Sequence, residues 1–420
     1  MRNGKTARLR TSALRKVTGR AGLNATLGVT VLAVAALVLT ACSSGGGGGG
    51  GTSHSGGTTT TVDKPAVTIA VTPSSDSSVN PTTPIVVKAT GGRLTSVAVT
   101  NAAKGTTVTG ALAADKGTWT SNEVLGYGST YNVVAHGKDA KGLTTQKQAT
   151  IKTIDPKQQA NANMIPAPGT VQNSGIGVGQ PIVFQFTYPV KNKAEVQKHL
   201  QVTSNPPQEG AWYWIDSKNV HYRPKEFWKP GTTIHVKANV YGLDFGGGVY
   251  GADDRDVTYK VHDSWIGKAD GNTEHMTIYH NGQAVKTMPI SMGKDATPTH
   301  EGIHVVSAKH ADYIMDSCTY GVCKGDPNYY RSHEKWSVRI SNDGEFVHEN
   351  PNSVGDQGSS NVSHGCINLN AANGQWFFQH FSYGDVVEVS NSGGKQLPVW
   401  DLYGDWSVPW STWQAGNAND

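Results

Sequence analysis

The chain has 420 residues, enough for two or three domains with cores of their own. Charged residues make up 16 % and glycine fills 50 positions, a profile that suits β-rich extracellular modules and excludes a highly charged disordered chain. The net charge of +4 belongs to residues 1–42, which hold seven of the 36 basic residues and no acid; beyond them 29 basic residues face 32 acidic ones, so no basic field remains for nucleic acid.

A basic stretch to Arg20 precedes an uncharged run, 21–41, whose most apolar part is 29–39 and which ends Leu39-Thr40-Ala41-Cys42. That order describes a secretory signal. A cysteine directly after small residues resembles a bacterial lipobox, which implies that 1–42 is a lipoprotein signal and Cys42 its diacylated residue. A simple membrane-spanning anchor is the alternative; the run is long enough, but Gly22, Asn24, Thr26, Gly28 and Thr30 weaken it. Either way the rest is expected outside the cytoplasm, on the face of the membrane toward the cell wall. Residues 43–63, with seven consecutive glycines, read as a flexible tether.

Residues 64–154 read as short alternating strands, at 66–72, 85–89, 96–100, 106–112, 130–136 and 144–154, the pattern of a small β-sandwich. A second β-rich module follows over 155–261, with strands at 181–186, 211–215, 220–223 and 233–240 and one short helix at 192–199. Its Trp212, Trp214 and Trp228 allow a carbohydrate-stacking surface, but packing is the favoured reading. A third module, 262–391, opens with Asn281-Gly282 between two alternating runs, a hairpin signal. Further strands are expected at 302–306, 337–340, 344–348 and 385–390, and one clear helix at 370–381. The tail, 392–420, carries four of the eleven tryptophans and is expected to wrap back onto an earlier domain.

The chemistry concentrates in Ser363-His364-Gly365-Cys366-Ile367-Asn368, with His348 eighteen residues before the cysteine at the end of an expected strand. With Cys42 assigned to lipid, three cysteines remain, and Cys318 and Cys323 are close enough to pair; the alternative is two free thiols. Cys366 is then a lone thiol in an oxidising compartment, which suggests a chemical role. A nearby imidazole that takes its proton makes a thiol a strong nucleophile. Gly365 lets the backbone approach closely, so the N–H groups of Gly365 and Cys366 can point at a developing oxyanion.

Here the chain resembles the L,D-transpeptidase family with its YkuD-type catalytic domain, through His348-Glu349-Asn350-Pro351, Ser353-Val354-Gly355 and 363–368. Met315-Asp316-Ser317-Cys318-Thr319-Tyr320-Gly321-Val322, Gly404-Asp405-Trp406 and 413–418 are similar to the mycobacterial-type subgroup. The resemblance implies a mostly β fold: two immunoglobulin-like β-sandwich domains, then a catalytic domain with one main helix and a C-terminal wrap. It implies an acyltransferase that forms 3→3 peptidoglycan cross-links: Cys366 attacks the third residue of a donor tetrapeptide stem, D-Ala leaves, and the side-chain amine of an acceptor stem resolves the thioester. His348 is then the general base, its ring held by a backbone carbonyl, here that of Glu349, which departs from the Ser or Gly often found there. His364 would support the thiolate, and Asn368, Ser363, Ser353, Gly355 and Met315 would meet substrate. Tyr320 would donate to the oxyanion from a lid at 309–331, whose turn a Cys318–Cys323 disulfide would stiffen. Carbapenem sensitivity is implied too. The partners are stem peptides and, through lipid on Cys42, the membrane.

A hydrolytic L,D-carboxypeptidase shares the motif, and a non-catalytic wall-binding lipoprotein is the reading from another class. Ser291-Met292-Gly293-Lys294 matches S-x-x-K, but Gly293 sits where a helix must open and no K-T-G follows. Cys318, Cys323 and His333 make a poor zinc set. No cofactor or metal is expected.

Overall fold

A computed structural model describes residues 64–419 except 75–77 and 328, and leaves the Tyr320 side chain undescribed. The expected signal, Cys42 and the tether lie outside the described residues. Among those described, no helix is long and apolar enough to cross a membrane.

The first module is a sandwich of two four-stranded sheets. One runs Thr68–Thr72, Val86–Thr90, Thr118–Ser121, Gly110–Leu112; the other runs Ser78–Val79, Thr144–Thr153, Thr130–Lys138, Arg93–Asn101. Alternation along Thr130–Lys138 turns Tyr131, Val133 and Ala135 inward against Val87, Leu94, Val99 and Ile151. The strand expected over 106–112 shortens to Gly110–Leu112, and Thr118–Ser121, which carries Trp119, was not anticipated.

The second module pairs Ala162–Ile165, Ile182–Phe186, Asn219–Pro224 and Gly210–Trp214 in one sheet and Leu200–Asn205, Thr233–Ala238 and Arg255–Lys260 in another. The short helix is Lys193–Lys198. Trp214 and Trp228 are buried, and Trp212 packs on Phe184 and Tyr222 at 5.9 and 5.1 Å between ring centres. These tryptophans pack the core rather than face solvent as a sugar platform. The two sandwiches are tied by Tyr127, whose hydroxyl donates to Gly251 O, and by Tyr241, whose hydroxyl donates to Leu125 O.

The third module has a five-stranded sheet, Gln283–Pro289, His275–His280, Trp265–Asp270, Val386–Ser390, Gly302–Val305, and a four-stranded one, Ala308–Asp316, Arg331–Arg339, Phe346–Glu349, Ile367–Leu369. Asn281 and Gly282 both take positive φ (48° and 81°), the turn geometry their hairpin needs. Helix Ala371–His380 starts where Asn370 Oδ1 accepts the Asn373 N–H, and Phe377 and Phe381 drive into the core beside Val347, Ile367 and Leu369. The expected lid is a long hairpin: Ala308–Asp316 pairs with Arg331–Arg339 around a loop in which Cys318 and Cys323 are disulfide-bonded.

The tail crosses back to the second sandwich. Helix Trp410–Ala415 buries Trp413, whose indole N–H donates to Ala211 O. Asn417 exchanges two hydrogen bonds with the Trp214 backbone. Arg223 donates to Val408 O and lies within 4.8–5.3 Å of the rings of Trp406, Trp410 and Trp413. Asp405 meets His221 Nδ1 at 2.7 Å with both side chains buried. This strap locks the catalytic module onto its neighbour.

Candidate active site

The parallel pairing of Phe346–Glu349 with Ile367–Leu369 sets His348 opposite Asn368. Side chains alternate along a strand, so Cys366, two residues before Asn368, falls on the same face as His348. Cys366 is buried beside Met315 and Phe346, with Tyr313 and Tyr330 packed against them. Its Sγ lies 3.6 Å from Gly344 O. The loop before it is tightly held. Ser363 Oγ donates to Cys366 O at 2.6 Å and accepts the Gly365 N–H, while Thr299 Oγ1 donates to Gly365 O. Gly365 takes φ +123°, a conformation that a side chain would strain.

His348 Nδ1 is 2.7 Å from Glu349 O. A carbonyl only accepts, so Nδ1 carries a proton and Nε2 is left for Cys366. A second acceptor stands on the same side: Glu334 Oε2 is 3.4 Å from Nδ1, an ionic contact rather than an aligned hydrogen bond. Burial disfavours charge on the ring, but the neighbouring Cys366 and Glu334 outweigh it and push His348 up to about 10. Burial likewise opposes charge on Glu334, and His348 more than compensates, holding that carboxyl below its usual range. The arrangement keeps a proton on the imidazole next to the sulfur.

These groups open into a cleft of about 320 Å³. Met315, Ser353, Ser363, His364 and Asn368 line it with Cys366 and His348, and so do Glu334 and Tyr330. Asn368 Oδ1 is buried there with no hydrogen-bond partner among the described residues. Three expectations change, those for Ser363, Gly365 and Gly355. The Ser363 hydroxyl is committed within the loop, so this residue positions Cys366 rather than meeting substrate. The Gly365 N–H is already taken by that hydroxyl and does not point at an oxyanion. His364 lines the cleft and contacts Lys294 Nζ at 3.2 Å through Nε2, and burial and the lysine charge lower its pKa. Gly355 lies outside the lining, exposed on its loop. The Tyr320 side chain is outside the described residues.

Glu334 was missed because it lies fourteen residues from His348 in a strand with no motif; only the Arg331–Arg339 pairing brings it in. The decoys fall away. Ser291 is fully buried and its hydroxyl accepts the Val362 N–H, away from any helix. Cys318 and Cys323 hold no thiolate, and His333 pairs with Asp312.

The family described as L,D-transpeptidase catalytic domain matches residues 266–389, and that described as bacterial Ig domain matches 76–244. L,D-transpeptidase 2 of Mycobacterium tuberculosis (strain CDC 1551 / Oshkosh) is 42 % identical, over 84 % of this chain and 85 % of its own. L,D-transpeptidase 5 of Mycobacterium tuberculosis (strain H37Rv) is 36 % identical, over 84 % and 78 %. Among solved structures, an L,D-transpeptidase in complex with imipenem is 31 % identical and superposes with a TM-score of 0.48, covering 56 % of this chain and all of its own.

Proposed function

This chain belongs to the L,D-transpeptidase family, and from that premise we propose that it forms 3→3 cross-links in peptidoglycan through a thioester on Cys366. At rest the thiol proton is held on His348 Nε2, so the attacking sulfur is a thiolate beside an imidazolium. The thiolate attacks the carbonyl carbon of the third residue of a donor tetrapeptide stem. The C–S bond forms, the C–N bond to the terminal D-Ala breaks, and His348 returns the proton to the departing amine. In the second half the side-chain amine of an acceptor stem attacks the thioester. A new C–N bond forms, the C–S bond breaks, and the amine proton returns to Cys366 through His348.

The observation that carries this reading is the His348 ring, fixed by Glu349 O on one side and presenting its other nitrogen to the one free cysteine among the described residues. Glu334 supports the imidazolium that each half-reaction passes through. Asn368 offers a buried amide to the donor stem, with Met315 and Ser353 as neighbouring walls. The Cys366 N–H remains as an oxyanion donor, and the resemblance to the family assigns a second to Tyr320. Lipid on Cys42 and the glycine tether would hold the enzyme outside the membrane, within reach of a polymer that cannot diffuse to it.

Incubation with disaccharide-tetrapeptide, followed by mass analysis of the products, tests the reading. Dimers one D-Ala lighter than two monomers are expected, and Cys366→Ala yields none. Tripeptide monomers without dimers would mean that the thioester goes to water instead.

A further inference from the structure

The turn between Arg331–Arg339 and Phe346–Glu349 carries Asp343, Gly344 and Glu345, and it touches the nucleophile loop twice. Gly344 O faces Cys366 Sγ, and the Glu345 side chain lies 3.6 Å from where a Cβ on Gly365 would stand. Glu345 is 6 % exposed. Its Oε1 lies 3.0 Å from His300 Nδ1 and accepts the His300 backbone N–H; its Oε2 lies 3.1 Å from Nε2 of the fully buried His304. Asp343 Oδ2 stands 3.5 Å from the same His300 nitrogen, while its other oxygen takes the Ser341 hydroxyl. One imidazole nitrogen and two carboxylate oxygens thus lie within 4.8 Å of one another, and the proposed reaction uses none of them.

The donor geometry of this cluster points to a cation. Nitrogen and oxygen ligands held at about 2.0–2.2 Å in a tetrahedral site stand roughly 3.2–3.6 Å apart. The His300–Glu345 and His300–Asp343 separations of 3.0 and 3.5 Å bracket the lower part of that range. His304 braces the Glu345 carboxylate from its other oxygen. Its Nδ1 is 3.2 Å from the carbonyl of Gly302, which only accepts, so Nδ1 carries a proton. Its Nε2 meets Glu345 Oε2 at 3.1 Å in a buried place and so fixes the orientation of that carboxylate toward His300. Asp401 adds a third carboxylate to the same turn by accepting the backbone N–H groups of Asn342 and Asp343.

We propose that His300 Nδ1, Asp343 and Glu345 bind a divalent transition-metal ion, with His304 holding Glu345 in place through its other oxygen. The donors are imidazole and carboxylate with no thiolate, a set that Zn²⁺ accepts well. Binding releases to solvent the proton that His300 otherwise shares with Glu345. The ion ties the turn bearing Gly344 to the segment bearing His300 and Thr299, the two pieces of backbone that contact the Cys366 loop.

The test uses Cys366→Ala protein, so that the active-site thiol cannot compete, with Zn²⁺ followed calorimetrically and Co²⁺ by its visible spectrum. One equivalent of each is expected, with Co²⁺ showing the bands of a low-coordinate ion and no thiolate charge transfer. Glu345→Gln and His300→Ala should each weaken binding at least about tenfold. His300 is partly exposed, so its variant tests the site even where Glu345→Gln fails to fold. Absence of stoichiometric binding to Cys366→Ala, or binding that His300→Ala leaves unchanged, would overturn the proposal.

Discussion

Glu334 and His348 face each other at the wall of the cleft, Oε2 3.4 Å from Nδ1, on two strands that pair only through the fold. The contact gives the imidazole a carboxylate as well as the Glu349 carbonyl. Glu334 raises the proton affinity of the ring, and its removal lowers it. Because His348 sits near 10 with Glu334 present, the ring stays protonated at pH 7 in the wild type. Glu334→Gln should therefore change the acylation rate at pH 7 by less than about threefold, because Cys366 still draws the proton onto the ring. The alkaline limb of the rate profile should move to lower pH. A pH series of imipenem acylation rates checks this; an unmoved limb would remove Glu334 from the machinery.

His348 is asked to hold and return the proton, so its loss should be far more severe. His348→Ala is expected to slow acylation by about 10²–10⁴ with the fold intact, the usual worth of a positioned acid–base group. Stopped-flow rates beside circular dichroism separate loss of chemistry from loss of structure.

The disulfide changes what a thiol reagent sees. Protein from Lys64 onward, alkylated without reduction, should gain one label at most, on Cys366; after reduction and unfolding it should gain three. Peptide mass mapping reads this directly, and labels on Cys318 and Cys323 without reduction would show that the lid loop is open.

The C-terminal strap should contribute strongly to stability. Trp413 is fully buried against the second sandwich, and Trp413→Ala should cost about 3–5 kcal/mol, the range for emptying a large aromatic site. Denaturant unfolding followed by tryptophan fluorescence measures it. A loss under 1 kcal/mol would mean that the strap only rests on the sandwich.

Local signals in the sequence carried far. Asn281-Gly282 turns the hairpin it marks, Asn370 caps the helix that the apolar spacing of Trp376, Phe377 and His380 announces, and the cysteine motif lies on the cleft. What stayed hidden depends on distant chain segments meeting. Ala308–Asp316 has both faces partly exposed and so lacks clean alternation. Glu334, and the group of His300, His304, Asp343 and Glu345, come from separate strands and a turn, and no spacing rule joins them. The roles expected for Ser363 and Gly365 shifted because a loop that holds a nucleophile must first satisfy its own backbone, and the Ser363 hydroxyl does that work. Tryptophan density in the tail foretold a wrap, but not that Arg223 would be enclosed by three of its indoles.

The most direct test of the account is the intact mass of the protein after incubation with imipenem, measured beside Cys366→Ala. The account predicts a single adduct on the wild type and none on the variant. An unmodified wild type with its thiol shown to be reduced, or an adduct that persists in Cys366→Ala, would contradict the assignment of Cys366 as the acylated nucleophile.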